Sequence, residues 1–577
     1  MKKIILLFLL FIFSFSFCEG QKWLWGTQGT VASGNSSGEG CDITTDRYGN
    51  VFVGGNVYGN VHVGIYSLSS SINYTSAYLI KYKSDGTVLW AKQSMNFSPN
   101  GQGFEHSISA DISGNIYAAG AASNIITFGV DTVHGNSNLG YTNSFLTKYD
   151  SNGNVIWVQQ SKGNASNCSA TGYGACIDNN KNIYLTGGFD QIEYFDTQLL
   201  SNPVPTAFLV KYDSSGNVIW AKQSKSSPGT STGVGSKVVT DSRGNIYVAG
   251  GFSDSIRFEN DSLSTVCGIS GGDIFLAKYN STGNVLWVTQ ANVYTPSAFA
   301  SIYGFAIDKN SNTYITGQFM DSVSFGPIKL ISTSASPYDI FIVKYDSNGN
   351  PIWAKTAQTY YGAFWSCYSI APDTNGNIYV SLGGGGAGPN YAIKYGTRVF
   401  SVPGVVYDGA SVIMKLDTSG KLLCGNIVGG GGDDWNGVAC NLAGNCVYFG
   451  GDFWANAVFG KDTLSLLASE VPFLAKWLPC GEVITSDNTN QNVDLPSLSI
   501  FPNPSSGKFT IQLSGVSGKS SVEIYNVMGQ RVTIATLKQV QGDYKIDLTS
   551  QPNGIYLYRV ISEEGNLLGD GKFVITH

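Results

Sequence analysis

Charge is what this chain has least of. Only 13 % of its 577 residues are Asp, Glu, Lys or Arg, about half the share of an ordinary soluble domain. The net charge is −6 with no cluster of Lys or Arg, which argues against a nucleic-acid partner, because a phosphate backbone demands grouped cations. Histidine is as scarce. His62, His106, His134 and His577 are the whole supply, scattered among expected loops and the terminus. They offer no base for a serine triad and no ligand set for zinc, so no metal and no cofactor is expected. The ten cysteines fall to nine once Cys18 is removed with the leader, an odd count without an even, tightly spaced framework. Cys168/Cys176 and Cys440/Cys446 are close enough for local bridges in an oxidising exterior. For Cys176, Cys267 and Cys440 the role of a small apolar side chain is the favoured reading. Long apolar runs are missing except for Ile4 to Phe17, which follows Lys2-Lys3 and precedes the small residues Cys18 and Gly20. This pattern reads as a signal peptide over residues 1–20, cut before Gln21 and too short to span a bilayer. No transmembrane segment is expected after its removal.

What fills the chain instead is Gly (71), Tyr (32), Ser, Thr and Asn, a composition for short strands and tight turns. Two phrases recur seven times. The first, of the type Asp-x-x-Gly-Asn-Ile-Tyr, centres on Asn50, Asn115, Asn182, Asn245, Asn312, Asn377 and Asn445, at intervals of 65, 67, 63, 67, 65 and 68 residues. The second, Lys-Tyr-Asp-x-x-Gly-Asn-Val-x-Trp, follows each. A near-constant long period signals a repeat architecture. Each unit reads as four strands with two short Gly-containing hairpins on one face and two longer connections on the other. Long connections on a rigid scaffold are where binding residues usually lie.

The ends of the array complement each other. Trp90, Trp157, Trp220 and Trp287 each precede the next unit's opening Asp by 21 residues, and Trp25 stands 21 before Asp46. Lys22 to Gln28 is therefore a last strand with no unit in front of it. The seventh unit ends at Phe473-Leu474-Ala475-Lys476-Trp477 and Cys480 without a Trp-bearing strand, and Cys424 takes the Trp position of the sixth. The expected fold is all-β: a seven-bladed β-propeller over 21–481 closed by its N-terminal strand, a polar linker over 482–495, and a small β-sandwich over 496–577. Burial of Trp25 in that seam is worth roughly 3 kcal/mol.

Two places on the long-connection face carry candidate binding chemistry. Tyr360, Tyr361, Phe364, Trp365 and Tyr368 crowd into nine residues of an expected loop, where exposed rings stack on sugars or on partner side chains. Asp433, Asp434 and Trp435 follow a glycine run and supply paired carboxylates. The Asp150–Asn154 and Asp346–Asn350 segments superficially resemble calcium loops but lack the closing Glu and flanking helices, which leaves them as turns.

The Asp-x-x-Gly-x-x-x-Trp hairpin resembles the tryptophan-docking motif of quinone-dependent dehydrogenase propellers, where it is structural. The spacing of Asp150 three residues before Gly153 departs from sialidase repeats. Residues 42–480 look like the seven-bladed bacterial β-propeller repeat family. The C-terminal stretch carries Phe501-Pro502-Asn503-Pro504, Gly507, Val522-Glu523-Ile524-Tyr525-Asn526, Gly529-Gln530, Gly554-Ile555-Tyr556 and Lys572-Phe573. It closely resembles the type A sorting domain of the Por, or type IX, secretion system of Bacteroidota. That resemblance implies export to the cell surface or exterior, with the secretion machinery as partner. The expected role is a binding module for a glycan or a surface protein rather than an enzyme; a polysaccharide-degrading enzyme using Asp433 and Asp434, or an inert surface scaffold, are the alternatives.

Overall fold

The computed structural model describes residues 21–31, 36–70, 74–96, 102–135, 141–163, 168–227, 231–265, 272–295, 299–332, 338–359, 364–385, 392–401, 410–429, 437–440, 446–453, 457–459, 462–464, 471–480, 497–501, 504–514, 520–526, 530–537, 542–562 and 567–577. Residues 1–20 and 482–495 lie outside them. The chain divides into two compact units, Met1–Val483 and Ile484–His577.

The larger unit is built from antiparallel sheets of four strands each. Sheet 1 takes Ser37–Thr45, Val51–Tyr58, Ser76–Tyr82 and Val88–Gln93 in that order. Sheets 2 to 6 repeat it, with first strands Gln102–Ala110, Ser169–Ile177, Thr232–Thr240, Ala300–Ile307 and Phe364–Pro372. Sheet 7 contains Gly437–Cys440, Val447–Phe453 and Val471–Leu478, and its fourth strand is the N-terminal Lys22–Gln28. Each first strand packs against the first strand of the next sheet, and Gly437–Cys440 packs against Ser37–Thr45.

The turn chemistry explains why the phrases recur. In the first hairpin of sheet 1, Asp46 Oδ1 accepts the backbone N–H of Tyr48 and of Asn50, each at 2.9 Å, while its Oδ2 accepts Asn50 Nδ2 at 2.7 Å. Gly49 takes the left-handed conformation at φ +77°, which a side chain rarely adopts. The same bonds recur at Asp111, Asp178, Asp241, Asp308 and Asp373. In sheets 2 to 6 the Tyr of the phrase also donates to this carboxylate, as Tyr184 does to Asp178 at 3.0 Å. In the second hairpins, Asp150 and Asp346 likewise accept backbone N–H groups on Oδ1 and the Nδ2 of Asn154 and Asn350 on Oδ2.

Three linkages join consecutive sheets. The lysine of each third strand donates to a carbonyl in the turn that follows the next sheet's third strand: Lys81 to Ser151 (2.9 Å), Lys148 to Ser214 (2.8 Å), Lys211 to Ser281 (3.1 Å), Lys278 to Ser347 (2.9 Å), Lys344 to Thr418 (3.5 Å) and Lys415 to Cys480 (3.3 Å). Lys476 of sheet 7 donates to Ser84 of sheet 1 at 3.2 Å. Each ammonium also lies over an aromatic ring of its own sheet, from Phe52 in sheet 1 to Tyr448 in sheet 7. The second linkage presses the fourth-strand tryptophan onto a left-handed glycine of the next sheet. Trp90, Trp157, Trp220, Trp287 and Trp353 cover Gly153, Gly216, Gly283, Gly349 and Gly420, and Trp25 covers Gly86 in the same way. The third is a strand continuation: residues after the fourth strand pair with an outer hairpin of the next sheet, as Ala291–Val293 do with Val323–Phe325.

Lys22–Val31 therefore performs every task of a fourth strand. It pairs with Val471–Leu478, docks Trp25, and continues into Thr30–Val31, which pairs with the sheet 1 hairpin at Val61 and His62. It also repeats the register shift seen in other fourth strands, skipping Leu24 as those skip Ile156, Ile219 and Leu286. Trp23 is thereby turned to the opposite side, into a cluster with Phe459, Phe449 and Trp477.

Two expectations are corrected. The connection between second and third strands, where an extra hairpin is expected at Ser255–Phe258 and Ser322–Phe325, forms one there and also in every other sheet, including Asn60–Val63 with Tyr66–Ser69 and Ala457–Phe459 with Asp462–Leu464. The backbone of these hairpin strands is committed to pairing, so this described part of the connection acts as scaffold more than as a variable binding loop. Cys424, at the missing Trp position, forms a disulfide with Cys480, which the odd cysteine count did not suggest. Cys176 carries a free thiol, so the Cys168/Cys176 bridge is not made, and the Cys440 side chain lies outside the described residues.

The smaller unit has two antiparallel sheets. One holds Ser497–Phe501, Lys508–Ser514 and Gly542–Asp547; the other orders Arg531–Leu537, Ser520–Asn526, Gly554–Ser562 and Leu567–Ile575. Phe509, Ile511, Val522, Ile524, Tyr556, Val560, Phe573 and Ile575 form their shared core.

Cys424 and Cys480 close a loop of 56 residues. Replacing both by Ser is expected to lower unfolding free energy by about 4 kcal/mol by the chain-entropy relation. Urea denaturation should superimpose the double variant on the reduced wild type; a variant matching the oxidised wild type would show that the bridge constrains nothing. Trp25→Ala is expected to cost about 3 kcal/mol and to raise hydrogen exchange in Val471–Leu478 before the other third strands. Uniform exchange across all seven third strands would contradict that role.

Candidate functional site

The first strands share a distortion that sequence spacing does not reveal. Pairing with the second strand shifts by one residue at Cys41, His106, Tyr173, Ser236, Tyr303 and Tyr368, one in each of sheets 1 to 6. A bulge re-aims its extra side chain. Cys41, His106, Tyr173, Ser236 and Tyr303 consequently line a single cavity of about 480 Å³, together with Ser169, Thr171, Phe189, Asp190, Val234, Lys237 and Ile302. A second cavity of about 200 Å³ shares Cys41, Lys237 and Tyr303 and is walled by residues from the first strands of all seven sheets, from Asp42 to Val438. The larger one lies toward the starts of the first strands, on the side away from the Asp-Gly-Asn turns.

Glycine sets the closeness of these walls. A side chain at Gly174 would meet Lys237 Cα at 2.9 Å, so its absence brings the first strands of sheets 3 and 4 together. The His106 and Tyr173 rings touch at 5.2 Å between centroids. Withdrawal from bulk water, reinforced by the Lys237 ammonium, pushes the His106 imidazole down to about 4, so it is neutral at physiological pH. Asp190 Oδ1 accepts the Ser169 N–H at 2.8 Å, and burial pushes its carboxyl up. The Cys41 thiol accepts Asn56 Nδ2 at 3.1 Å and is pushed up by burial first, then by Glu105 and other carboxylates. Tyr303 Oη accepts Gln318 Nε2 at 2.9 Å. The Lys237 ammonium makes no hydrogen bond or ion pair among the described residues, while its backbone pairs with Ala249.

Of the residues singled out from the sequence, Tyr360, Tyr361, Asp433, Asp434 and Trp435 lie outside the described residues. Phe364, Trp365 and Tyr368 belong to strand Phe364–Pro372 and not to a loop, with Trp365 in register with Gly384 and Tyr368 at the sixth bulge position. That places the Tyr368 backbone in the ring of positions that supplies the cavity, which the aromatic crowding alone did not indicate. The histidines are corrected as well: His62, His106 and His134 stand on strands, and His106 faces the cavity.

In the smaller unit, Pro502, Asn503 and Gly529 lie outside the described residues, and Pro504, Gly554 and Lys572 are exposed. Gly507 is left-handed at φ +90°, and a side chain there would meet Thr549 Cα at 2.7 Å. Tyr525 Oη donates to Glu523 Oε2 at 2.7 Å, and Arg559 Nε donates to the same oxygen at 2.5 Å. Hydrogen bonds from Tyr525 and Arg559 hold the Glu523 carboxyl below its usual range. Tyr556 is buried, with its hydroxyl on the Pro552 carbonyl at 2.7 Å.

Residues 499–576 match the secretion system C-terminal sorting domain, the Por secretion tail. The protein is thus one that engages type IX secretion and is delivered to the outer cell surface or beyond. Among curated proteins, an uncharacterised WD repeat-containing protein of Acanthamoeba polyphaga mimivirus is 26 % identical over 239 residues, 35 % of this chain and 16 % of that protein. The match thus spans about a sixth of that relative. Among solved structures, PorZ, an essential surface component of the type-IX secretion system of Porphyromonas gingivalis, is 13 % identical with a TM-score of 0.28, covering 93 % of this chain and 70 % of PorZ. The WD40 domain of SCAP from fission yeast is 8 % identical with a TM-score of 0.31, covering 79 % and 91 %. At these scores neither likeness bears on what the cavity does.

The His106 shift has a measurable consequence. Unfolded histidine titrates near 6.5 and the folded ring near about 4, so between these values the unfolded state binds the extra proton. Stability contributed by neutral His106 is lost as pH falls through that window, at up to about 1.4 kcal/mol per unit. Denaturation of His106→Gln is expected to show a flatter pH dependence than wild type between pH 6.5 and 4, and parallel curves would count against the shift.

Proposed function

We propose that this is an exported glycan-binding protein whose residues 21–481 form a closed seven-bladed β-propeller and whose ligand enters the cavity between the first strands. Residues 1–20 serve as its signal peptide, 482–495 as linker and 496–577 as the sorting domain. Closure is supported by the join of Lys22–Gln28 to Val471–Leu478 and by the Lys476 to Ser84 bond. The observation that carries the binding reading is the convergence of bulge residues from five successive sheets on one cavity of about 480 Å³. That volume is within the range of small-molecule sites, about 300–1,000 Å³. Flat rings at His106, Tyr173 and Tyr303 suit the apolar faces of sugars, while Ser169, Thr171 and Ser236 offer hydroxyl partners. Asp190 is the one carboxylate on the larger cavity's described wall, which favours recognition over two-carboxylate glycoside hydrolysis.

A glycan array probed with the purified protein is expected to give a restricted set of positives. Ser236→Trp places a large ring in the cavity and is expected to abolish them while leaving the melting temperature within a few degrees. Retention of the wild-type pattern by a folded Ser236→Trp protein would remove the cavity from the function.

A further inference from the structure

The lysines of this protein divide into two kinds. Those of the third strands are spent on the joins between sheets, each on a carbonyl oxygen. Lys237 is the exception inside the fold. It is the one cation on the described walls of both cavities, and no carboxylate of the described residues pairs with it. Asp190, on the same wall, is already engaged by the Ser169 N–H. Asp42, on the wall of the smaller cavity, accepts the N–H of Ile43 and of Ile108. An ammonium that neither carboxylate engages directly is open to an anion brought by a ligand.

We propose that what completes it is an acidic sugar, whose carboxylate pairs with Lys237 and whose ring stacks on the aromatic wall. This rests on the cavity reading above and names the ligand class for it. The rings of His106 and Tyr173 adjoin each other and Tyr303 shares the wall, giving flat apolar surface within the same recess as the charge. Hydroxyls at Ser169, Thr171 and Ser236 complement a polyhydroxylated ligand. One ammonium beside an uncharged imidazole matches a single negative charge, a carboxylate, better than a dianionic phosphate. The chain as a whole is net negative at −6, so attraction of such a ligand comes from this local charge and not from a general basic surface.

The test is calorimetric titration of the full protein with a glucuronic acid trisaccharide and with the corresponding neutral glucose trisaccharide. Wild type is expected to bind the acidic sugar about 10- to 100-fold more tightly, the range for a hydrogen bond to a charged group. Lys237→Gln is expected to bring the two affinities within about twofold, and Lys237→Arg to restore the preference. Should Lys237→Gln fail to fold, the wild type alone decides: affinity for the acidic sugar falls on raising salt, and affinity for the neutral one does not. Equal binding of both sugars, lost in Ser236→Trp, overturns the acidic-ligand inference and leaves the cavity reading standing. Binding of neither sugar overturns this inference, and acidic-sugar binding that persists in Ser236→Trp overturns both.

Discussion

Everything in the larger unit depends on the pairing of Lys22–Gln28 with Val471–Leu478. Without it, sheet 7 would end on an open third strand and the Gly86 turn of sheet 1 would lose the Trp25 ring that covers it. An unpaired strand edge is both a loss of hydrogen bonds and a template for aggregation. With the join, segments some 450 residues apart in sequence become partners, and the first strands hold a fixed spacing around a common cavity. The cavity is therefore a product of the join: its walls come from sheets that would otherwise be free to splay.

A join of this kind needs compensation at the chain exit. Six fourth-strand positions carry a tryptophan that rests on the next sheet's glycine turn. Sheet 7 has no such turn, because its third strand leaves toward residue 481, and a tryptophan at position 424 would have nothing to cover. The disulfide to Cys480 joins sheets 6 and 7 at the place where the repeating contact cannot form. Such a bond suits a protein delivered outside the cell, where oxidised cysteine persists. Noncovalent and covalent joins thus divide according to whether the next turn exists.

The scaffold was legible in residue spacing to an unusual degree. The interval of 21 from Trp25 to Asp46 equals the interval from Trp90 to Asp111, and that arithmetic alone assigned the N-terminal strand. Turn residues are legible because Asp, Gly and Asn act on their own backbone within five positions. The disulfide was not, because Cys424 and Cys480 are related only through sheet order. The cavity was hidden for a different reason. Its contributing side chains follow no single residue type, running from Cys41 to His106, Tyr173 and Ser236, and what they share is a register shift in the backbone. Chemical identity marks the positions that hold sheets together; pairing geometry marks the positions that face the cavity.

That division explains why the low charge of the chain does not mean a featureless interior. Burial draws the pKa of Lys81, Lys148, Lys211, Lys278 and Lys344 downward, yet each is retained, because an ammonium placed between an aromatic face and a carbonyl oxygen links two sheets with one side chain. A scaffold that assigns these cations to fixed structural partners leaves few charges to attract ligands indiscriminately. Against such a background a single additional cation such as Lys237 is selective, since no neighbouring excess of positive charge competes with it. Scarcity of charge and the make-up of the cavity are then two sides of one arrangement: the third-strand lysines are taken up by the joins between sheets, and the cavity wall is set by the residues that the bulges turn inward.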